Sequence, residues 1–331
     1  MQLRPEDISI AVTVYRRLDY LESALESAVQ QTVPVRVRLY DDGCQDQPRL
    51  RALLARFGDR VEHVRNPRTL GLFGNMNAAL QQSPTPWVSV LHDDDRLATD
   101  FVERILEVAP EVEQAALFCG GTLYLSPEGE PFHSSTLPKG TRWKQISPEE
   151  FALRTWFAFP GQLIHAATAV QRGCFPTRSL YTGDWELWFQ LTLAAGAVQL
   201  EAVTGWHRTH LGADRGTTAA AKTGRRVALS AMQAKRNLGR LRQAGRPVRF
   251  DRPSWVRLIN PLYRDLIVYT ATMPRWLLSY NRKLFLHTRP ESASMRWLQR
   301  ASRWFGNPAL RAAGHARALA IRFGMKPPRT F

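Results

Sequence analysis

The sequence predicts an α/β fold: a mostly parallel, Rossmann-like sheet with helices on both faces, followed by a basic helical extension. Three observations carry this expectation. Over the first hundred residues, β-rich apolar runs alternate with helix-period segments, the pattern of successive βα units. Two of the apolar runs stop abruptly in clustered acids, Asp41-Asp42 and Asp93-Asp94-Asp95. The charge is also partitioned: residues 216–331 hold 24 Lys+Arg against 3 Asp+Glu, whereas residues 1–215 hold 21 against 26. The expected division is therefore an enzyme-like domain over 1–215 and a basic, Trp- and Arg-rich, mainly helical region over 216–331.

Taken in order, Ile8 to Tyr15 is the first strand. Leu21, Ala24, Leu25, Ala28 and Val29 then give the i, i+3, i+4, i+7, i+8 stripe of an amphipathic helix. Val35 to Tyr40 is the second strand and ends at Asp41-Asp42-Gly43. A helix from Pro48 to Phe57, a short strand over Val61 to Val64 and a helix from about Gly74 to Gln82 lead into the strand that opens at Trp87. Asp100-x-x-Glu103 reads as the capping box of the next helix. A strand is expected over Ala115 to Tyr124, with a hairpin through Pro127 to Pro131. Ser147-Pro148-Glu149-Glu150 is a helix start, with Pro at its first position and acids in its first turn. Phe157 to Phe175 is too irregular for one long element: it shapes a pocket or packs as a loop. Tyr181 to Gly196 carries a further helix with Asp184 at its N-terminus.

Composition narrows the function classes. The hydrophobic fraction of 44% suits a packed core, and no run of 18 apolar residues is present. Met1 to Asp7 lacks the apolar stretch of a secretory signal, so the expected location is cytoplasmic. Cys44, Cys119 and Cys174 lie far apart with no Cys-x-x-Cys pair, which argues against a zinc site or a disulfide framework. Neither a Gly-x-Gly-x-x-Gly fingerprint after the first strand nor a Walker A loop is present, so a nucleotide here would be held by carboxylates and a metal. Acids at the carboxyl ends of neighbouring strands meet at one sheet edge, where ligands bind in such folds. Three adjacent Asp residues either surround a divalent cation and a diphosphate or form a solvated acidic turn.

The resemblance these residues carry is to the family 2 glycosyltransferases of the GT-A fold. Val12-Thr13-Val14-Tyr15-Arg16 resembles their opening strand-to-loop motif, and Asp41-Asp42-Gly43-Cys44-Gln45-Asp46 their Asp-Asp-Gly-Ser-x-Asp motif. Asp93-Asp94-Asp95 resembles the Asp-x-Asp region, and Gly71 to Asn77 the Gly-x-x-x-Asn-x-Asn segment of some members. The similarity covers roughly residues 8 to 212. The resemblance implies that Thr13 and Tyr15 line the base and ribose pocket, that Asp42 accepts a hydrogen bond from the base, and that Asn77, Asp93 and Asp94 belong to the nucleotide-sugar site. It further implies Asp95 as a ligand of Mg²⁺ or Mn²⁺. The chain departs from the family pattern at His92, Met76 and Gly183.

Asp184-Trp-Glu-Leu-Trp188 resembles the motif whose Asp is the catalytic base in inverting members. As a residue at a helix start, Asp184 also suits an N-cap, and the two roles are compatible. Trp206-His207-Arg208-Thr209-His210 resembles a segment near the end of the catalytic domain. There Arg208 would neutralise the diphosphate and His210 would complete the metal shell, contact the diphosphate or simply pack. Helices are expected over Ala219 to Leu241, Trp255 to His287 and Ala293 to Phe323. Their interleaved Trp and Arg suit an anionic membrane surface or packing on the catalytic domain, with nucleic acid the weaker candidate. The expected activity is an inverting transfer of a sugar from a nucleotide-diphosphate donor to a saccharide, lipid-linked or small-molecule hydroxyl in cell-envelope polysaccharide or glycoconjugate synthesis. A basic scaffold with a degenerate catalytic domain, binding nucleic acid or membrane, and a sugar nucleotidyltransferase are the alternatives.

Overall fold

The computed structural model describes residues 1–153, 155, 157–178, 182–210 and 225–246. The expected tail helices over 255–287 and 293–323 lie outside the described residues. The chain divides into two compact units, residues 1–151 with 155–211, and residues 152–154 with 212–331. In the second unit, helix α8 (Arg225–Gln243) is described; its Asn237 Nδ2 donates to the carbonyl of Ala152 at 3.4 Å.

The first unit is built on a mixed sheet whose N-terminal block is parallel. Strands β1 (Ile8–Val14), β2 (Arg36–Asp41), β3 (Glu62–Arg65) and β4 (Trp87–His92) lie side by side in the order β3-β2-β1-β4, all parallel. Even-numbered β1 side chains, Ile8, Ile10, Val12 and Val14, pack with Leu21, Ala24, Leu25 and Ala28 of helix α1 (Leu21–Val29). The same cluster takes in Phe101, Val102, Ile105 and Val108 of α4 (Phe101–Val108). Helix α3 (Leu72–Gln81) packs on β1, β2 and β4 and buries Met76, Ala79 and Leu80 outside that cluster. The two-sided burial explains why these strands read as near-continuous apolar runs. At roughly 1.5–3 kcal/mol per fully buried aliphatic side chain, such a block is the main favourable contribution to this unit.

Beyond β4 the sheet departs from the simple parallel expectation. Strand β9 (Gln162–His165) inserts antiparallel between β4 and β6 (Leu117–Leu125), at the centre of the sheet. It and helix α6 (Ala166–Gln171) occupy the stretch that the sequence left irregular. Strand β10 (Ala197–Arg208) runs parallel to β6, and the two-residue strand β5 (Arg96–Leu97) pairs antiparallel with Trp206 and Gly205. Strand β7 (Pro131–Ser135) closes the expected hairpin on β6 through a turn in which the Ser126 amide donates to Glu130 O and Gly129 has φ 99°. Strand β8 (Trp143–Ile146) pairs with β10.

Helices α2 (Gln47–Ala55) and α7 (Gly183–Ala195), with residues 148–151 of α5 (Pro148–Leu153), complete the unit. Ser147 Oγ accepts from Glu150 N at 3.1 Å, the cap its sequence predicts. The expected capping box at Asp100 is absent. Asp100 Oδ2 instead accepts from Arg104 Nε at 2.6 Å, and Glu103 accepts from Thr32 Oγ1 at 2.8 Å. Competing long and short side-chain partners removed both carboxylates from the helix end.

β10 approaches the 160–161 turn too closely for any side chain at Gly205. A Cβ there would lie 2.4 Å from the Pro160 carbonyl atoms and 2.7 Å from Gly161 N. Gly205→Ala is expected to cost about 1–3 kcal/mol of unfolding free energy, because backbone and not a flexible side chain must move. Urea denaturation of the two proteins measures this.

Candidate active site

Register places the polar strand ends at one edge. Thr13 of β1 lies opposite Tyr40 of β2 and His92 of β4, and Val14 opposite Asp41, so Asp41-Asp42 and Asp93-Asp94-Asp95 follow on either side of β1. Thr13 is buried, and its hydroxyl donates to Leu91 O at 3.2 Å. Tyr15 stands at the mouth, exposed, with the Arg16 guanidinium 4.7 Å above its ring.

The two acid clusters do different work. Asp41 is fully buried and accepts from Gly43 N, Cys44 N and Gln47 Nε2 at 2.6–3.0 Å, which builds the turn after β2. Asp42 Oδ1 accepts from Leu70 N at 2.7 Å and Asn66 Nδ2 at 3.0 Å, and Oδ2 accepts from Gly71 N at 2.8 Å. Asn66 also donates to Asn75 Oδ1. At 2% exposure, Asp42 holds the 66–71 loop against the sheet. Asn77 stands apart from the carboxylates, its amide closed on the backbone N–H and C=O of Phe175 at 2.8 and 2.9 Å.

Asp93, Asp94 and Asp95 converge with a set of cations from two other segments. Arg17, in the β1–α1 loop, places Nη2 2.6 Å from Asp94 Oδ2 and 3.5 Å from Asp93 Oδ1. His210 Nε2 lies 2.8 Å from Asp94 Oδ2 and 3.0 Å from Arg17 Nη1. Asp95, 1% exposed, accepts on Oδ1 from Arg208 N at 2.9 Å and from His207 Nδ1 at 3.1 Å. The β5–β10 pairing explains the second set: 97 faces 205 and 96 faces 206, so 95 meets 207. The structure thus brings Asp95 to His207, and His210 to Asp94. Arg208 itself donates Nε to Asp94 O at 3.2 Å and Nη1 to Pro127 O at 2.9 Å, and its guanidinium lies 4.3 Å over the Tyr20 ring.

Asp184 is the second residue of α7 rather than its cap; Thr182 holds the cap position. Its Oδ1 accepts from the Trp185 N–H at 2.7 Å, and its charge reaches His207. Gly183, where the family motif has Glu, sits under the Phe73 ring: a Cβ there would lie 2.6 Å from the ring's outer edge, so Phe73 would have to shift. Sequence reasoning missed Arg17 and His207. Nothing local marks either one, since both are recruited by loop and strand pairings distant in sequence.

Electrostatics follows from burial and these partners. Burial, with the Asp94 charge beside it, pushes Asp93 up to about 7 despite Arg17. Burial works the other way at Asp94, where the His210 hydrogen bond and the Arg17 charge outweigh it and hold the carboxyl well below the usual range. Burial opposes a charge on His207, but Asp95 overrides it and raises the imidazole. Burial lowers His92, which stacks on Phe159 with ring centroids 4.5 Å apart.

Among the described residues, no three His, Cys, Asp or Glu side chains converge as a ready metal cage. One atom nonetheless fits a cation. Oδ2 of Asp95 is buried with no hydrogen-bond partner among the described residues. A single carboxylate oxygen supplemented by phosphate oxygens and water is a donor set that Mg²⁺ commonly takes.

A raised folded-state pKa favours the protonated form of Asp93. Its contribution to stability is complete below the unfolded value near 4 and is lost as pH rises through about 7. Asp93→Asn, neutral throughout, is therefore expected to melt roughly 5 °C above wild type at pH 8 in EDTA, with the gap closing toward pH 4. Differential scanning calorimetry across pH checks it, and a gap that widens on acidification would overturn it.

Comparison with known proteins adds the family. Residues 9–171 match the model of Glycosyl transferase family 2. The succinoglycan biosynthesis protein ExoO of Rhizobium meliloti (strain 1021) is 33% identical over 105 residues, 31% of this chain and 30% of that protein. The uncharacterized glycosyltransferase RP339 of Rickettsia prowazekii (strain Madrid E) is 23% identical over 193 residues, 55% and 58% of the two chains. The matched stretches thus span less than two thirds of either relative. In three dimensions the chain is similar to S. aureus TarS 1-349 in complex with UDP, with a TM-score of 0.59 at 12% identity, covering 97% of this chain and 93% of that one. The complex of TarS 1-349 with UDP-GlcNAc superposes with a TM-score of 0.53 at 13% identity, covering 96% and 92%. At these identities the structures establish the fold. The chain therefore carries a glycosyl transferase family 2 domain of the GT-A fold.

Proposed function

We propose that this protein is an inverting glycosyltransferase that moves a sugar from a nucleotide-diphosphate donor to an acceptor hydroxyl. The observation that carries the reading is the convergence of Asp93, Asp94 and Asp95 with Arg17, His207 and His210 at the carboxyl ends of β1 and β4, where Asp95 Oδ2 has no hydrogen-bond partner among the described residues. Uridine diphosphate sugars are the first donors to test, because TarS has been crystallised with UDP and UDP-GlcNAc. The similarity to a succinoglycan biosynthesis protein supports polysaccharide synthesis as the setting.

Thr13 and Tyr15 are the groups of the β1 end that would line the base and ribose. Arg17 lies where a diphosphate would meet the acids, and a guanidinium suits bidentate phosphate contact. Asp95 would hold Mg²⁺ or Mn²⁺, which when bound supplies positive charge against the leaving diphosphate. Asp184 would accept the proton of the acceptor hydroxyl as its oxygen attacks the anomeric carbon. Bond formation to the acceptor oxygen and cleavage of the bond to the diphosphate on the opposite face invert that carbon. Preorganised charge and positioning contribute most of the acceleration in such a site.

The wider proposal keeps the catalytic domain at 1–215 and assigns the basic region 216–331 to an anionic membrane surface, on the strength of its charge and Trp content. Among the described residues, no helix is long and apolar enough to cross a membrane.

Two variants test the chemistry. Asp95→Ala is expected to abolish the Mg²⁺-dependent rise in melting temperature with UDP. Asp184→Asn is expected to retain that rise and to lose sugar transfer by about 10²-fold or more, read as UDP release. Full turnover by Asp184→Asn would remove its role as base.

A further inference from the structure

A row of rings leads away from the acid cluster across the sheet. His207 of β10 is in register with Tyr124 of β6, and Tyr124 with His133 of β7. The rings touch in sequence: His207 and Tyr124 meet edge to face with centroids 5.8 Å apart, and Tyr124 and His133 lie 5.4 Å apart. Phe132 also packs on Tyr124, at 6.4 Å. The inner end of the row is fixed to the reaction centre, because His207 Nδ1 is hydrogen-bonded to Asp95. The outer end is β7, off the main path of the sheet and paired with β6, where Phe132 is 62% exposed.

Cross-strand aromatic pairs stabilise sheets by roughly 0.2–1 kcal/mol, but that gain needs neither an exposed phenyl ring nor a lead to the catalytic carboxylates. A saccharide accounts for both features. The C–H faces of a pyranose ring pack on aromatic faces, whose negative charge attracts polarised hydrogens, while imidazole and phenol groups bond its hydroxyls.

Resting on the glycosyltransferase reading above, we propose that Tyr124, Phe132 and His133 form an acceptor subsite for an already extended glycan. The chain end would lie beside His207, and the preceding sugars along the row. The acceptor class is therefore an oligosaccharide or a glycan-bearing carrier, in preference to a single small hydroxyl compound.

The test uses the full chain with saturating UDP and Mg²⁺. Saturation-transfer NMR titrations follow glucose, cellobiose and cellotriose, and their galacto-configured counterparts, on wild type and on the double variant Phe132→Ala/His133→Ala. Both altered side chains are exposed, so folding is preserved, and the UDP-induced melting shift of the variant confirms it. At least one ladder is expected to bind about tenfold more tightly as trisaccharide than as monosaccharide, with that gain lost in the variant. Absence of any length dependence in both ladders, or a gain that the variant keeps, overturns the subsite. Absence of the UDP shift in wild type would instead overturn the donor reading.

Discussion

Three consecutive carboxylates at the end of β4 would not stay folded without partners, and the rest of the site is arranged around supplying them. Each is compensated differently. Asp94 takes two neighbours, the Arg17 guanidinium and the His210 imidazole. Asp95 takes an imidazole and a backbone amide from the end of β10. Asp93 keeps the weakest support, a 3.5 Å contact with Arg17, and burial accordingly favours its neutral form. The cations come from the β1–α1 loop and the β10 end, so neither segment can move without exposing an uncompensated charge.

That arrangement gives the site two sides with different mechanical character. On the β1–β2 side, Asp41 and Asp42 are consumed in holding turns, which makes the floor rigid. On the β10 side, the groups facing the acids are ionisable rings that remain partly exposed: His207 and His210 show 30% and 28% of their side-chain surface. A rigid floor for a nucleotide and an adjustable wall for the transferring group suit a reaction in which charge develops on only one side.

The parallel block was legible in the sequence because burial on both faces writes itself as apolar runs with acids at their ends. Asp95 as a metal ligand and Asp184 as a base are candidates the sequence offers for a similar reason, since each sits at an element boundary. Three things were not. β9 has only four residues and polar ends, Gln162 and His165, so periodicity cannot detect it. β5 is two residues long and exists only through its pairing with β10. The partners of Asp42 and Asn77 were hidden as well: Asp42 accepts from Asn66, Leu70 and Gly71, and Asn77 pairs with the backbone of Phe175, groups brought near only by the loop at 66–71 and the turn at Phe175.

The shortness of β5 has an implication for recombining such enzymes. Two residue pairs, 97 with 205 and 96 with 206, set the local phase between the turn that carries the acids and the end of β10, beside the β4-β9-β6-β10 ladder that joins the two halves elsewhere. Because neighbouring side chains on a strand point to opposite faces, slipping this junction by one position would turn His207 away and present Trp206 or Arg208 to Asp95. A chimera that borrows its acceptor half from another protein must therefore be spliced in frame with this two-pair clasp, whatever the sequences on either side.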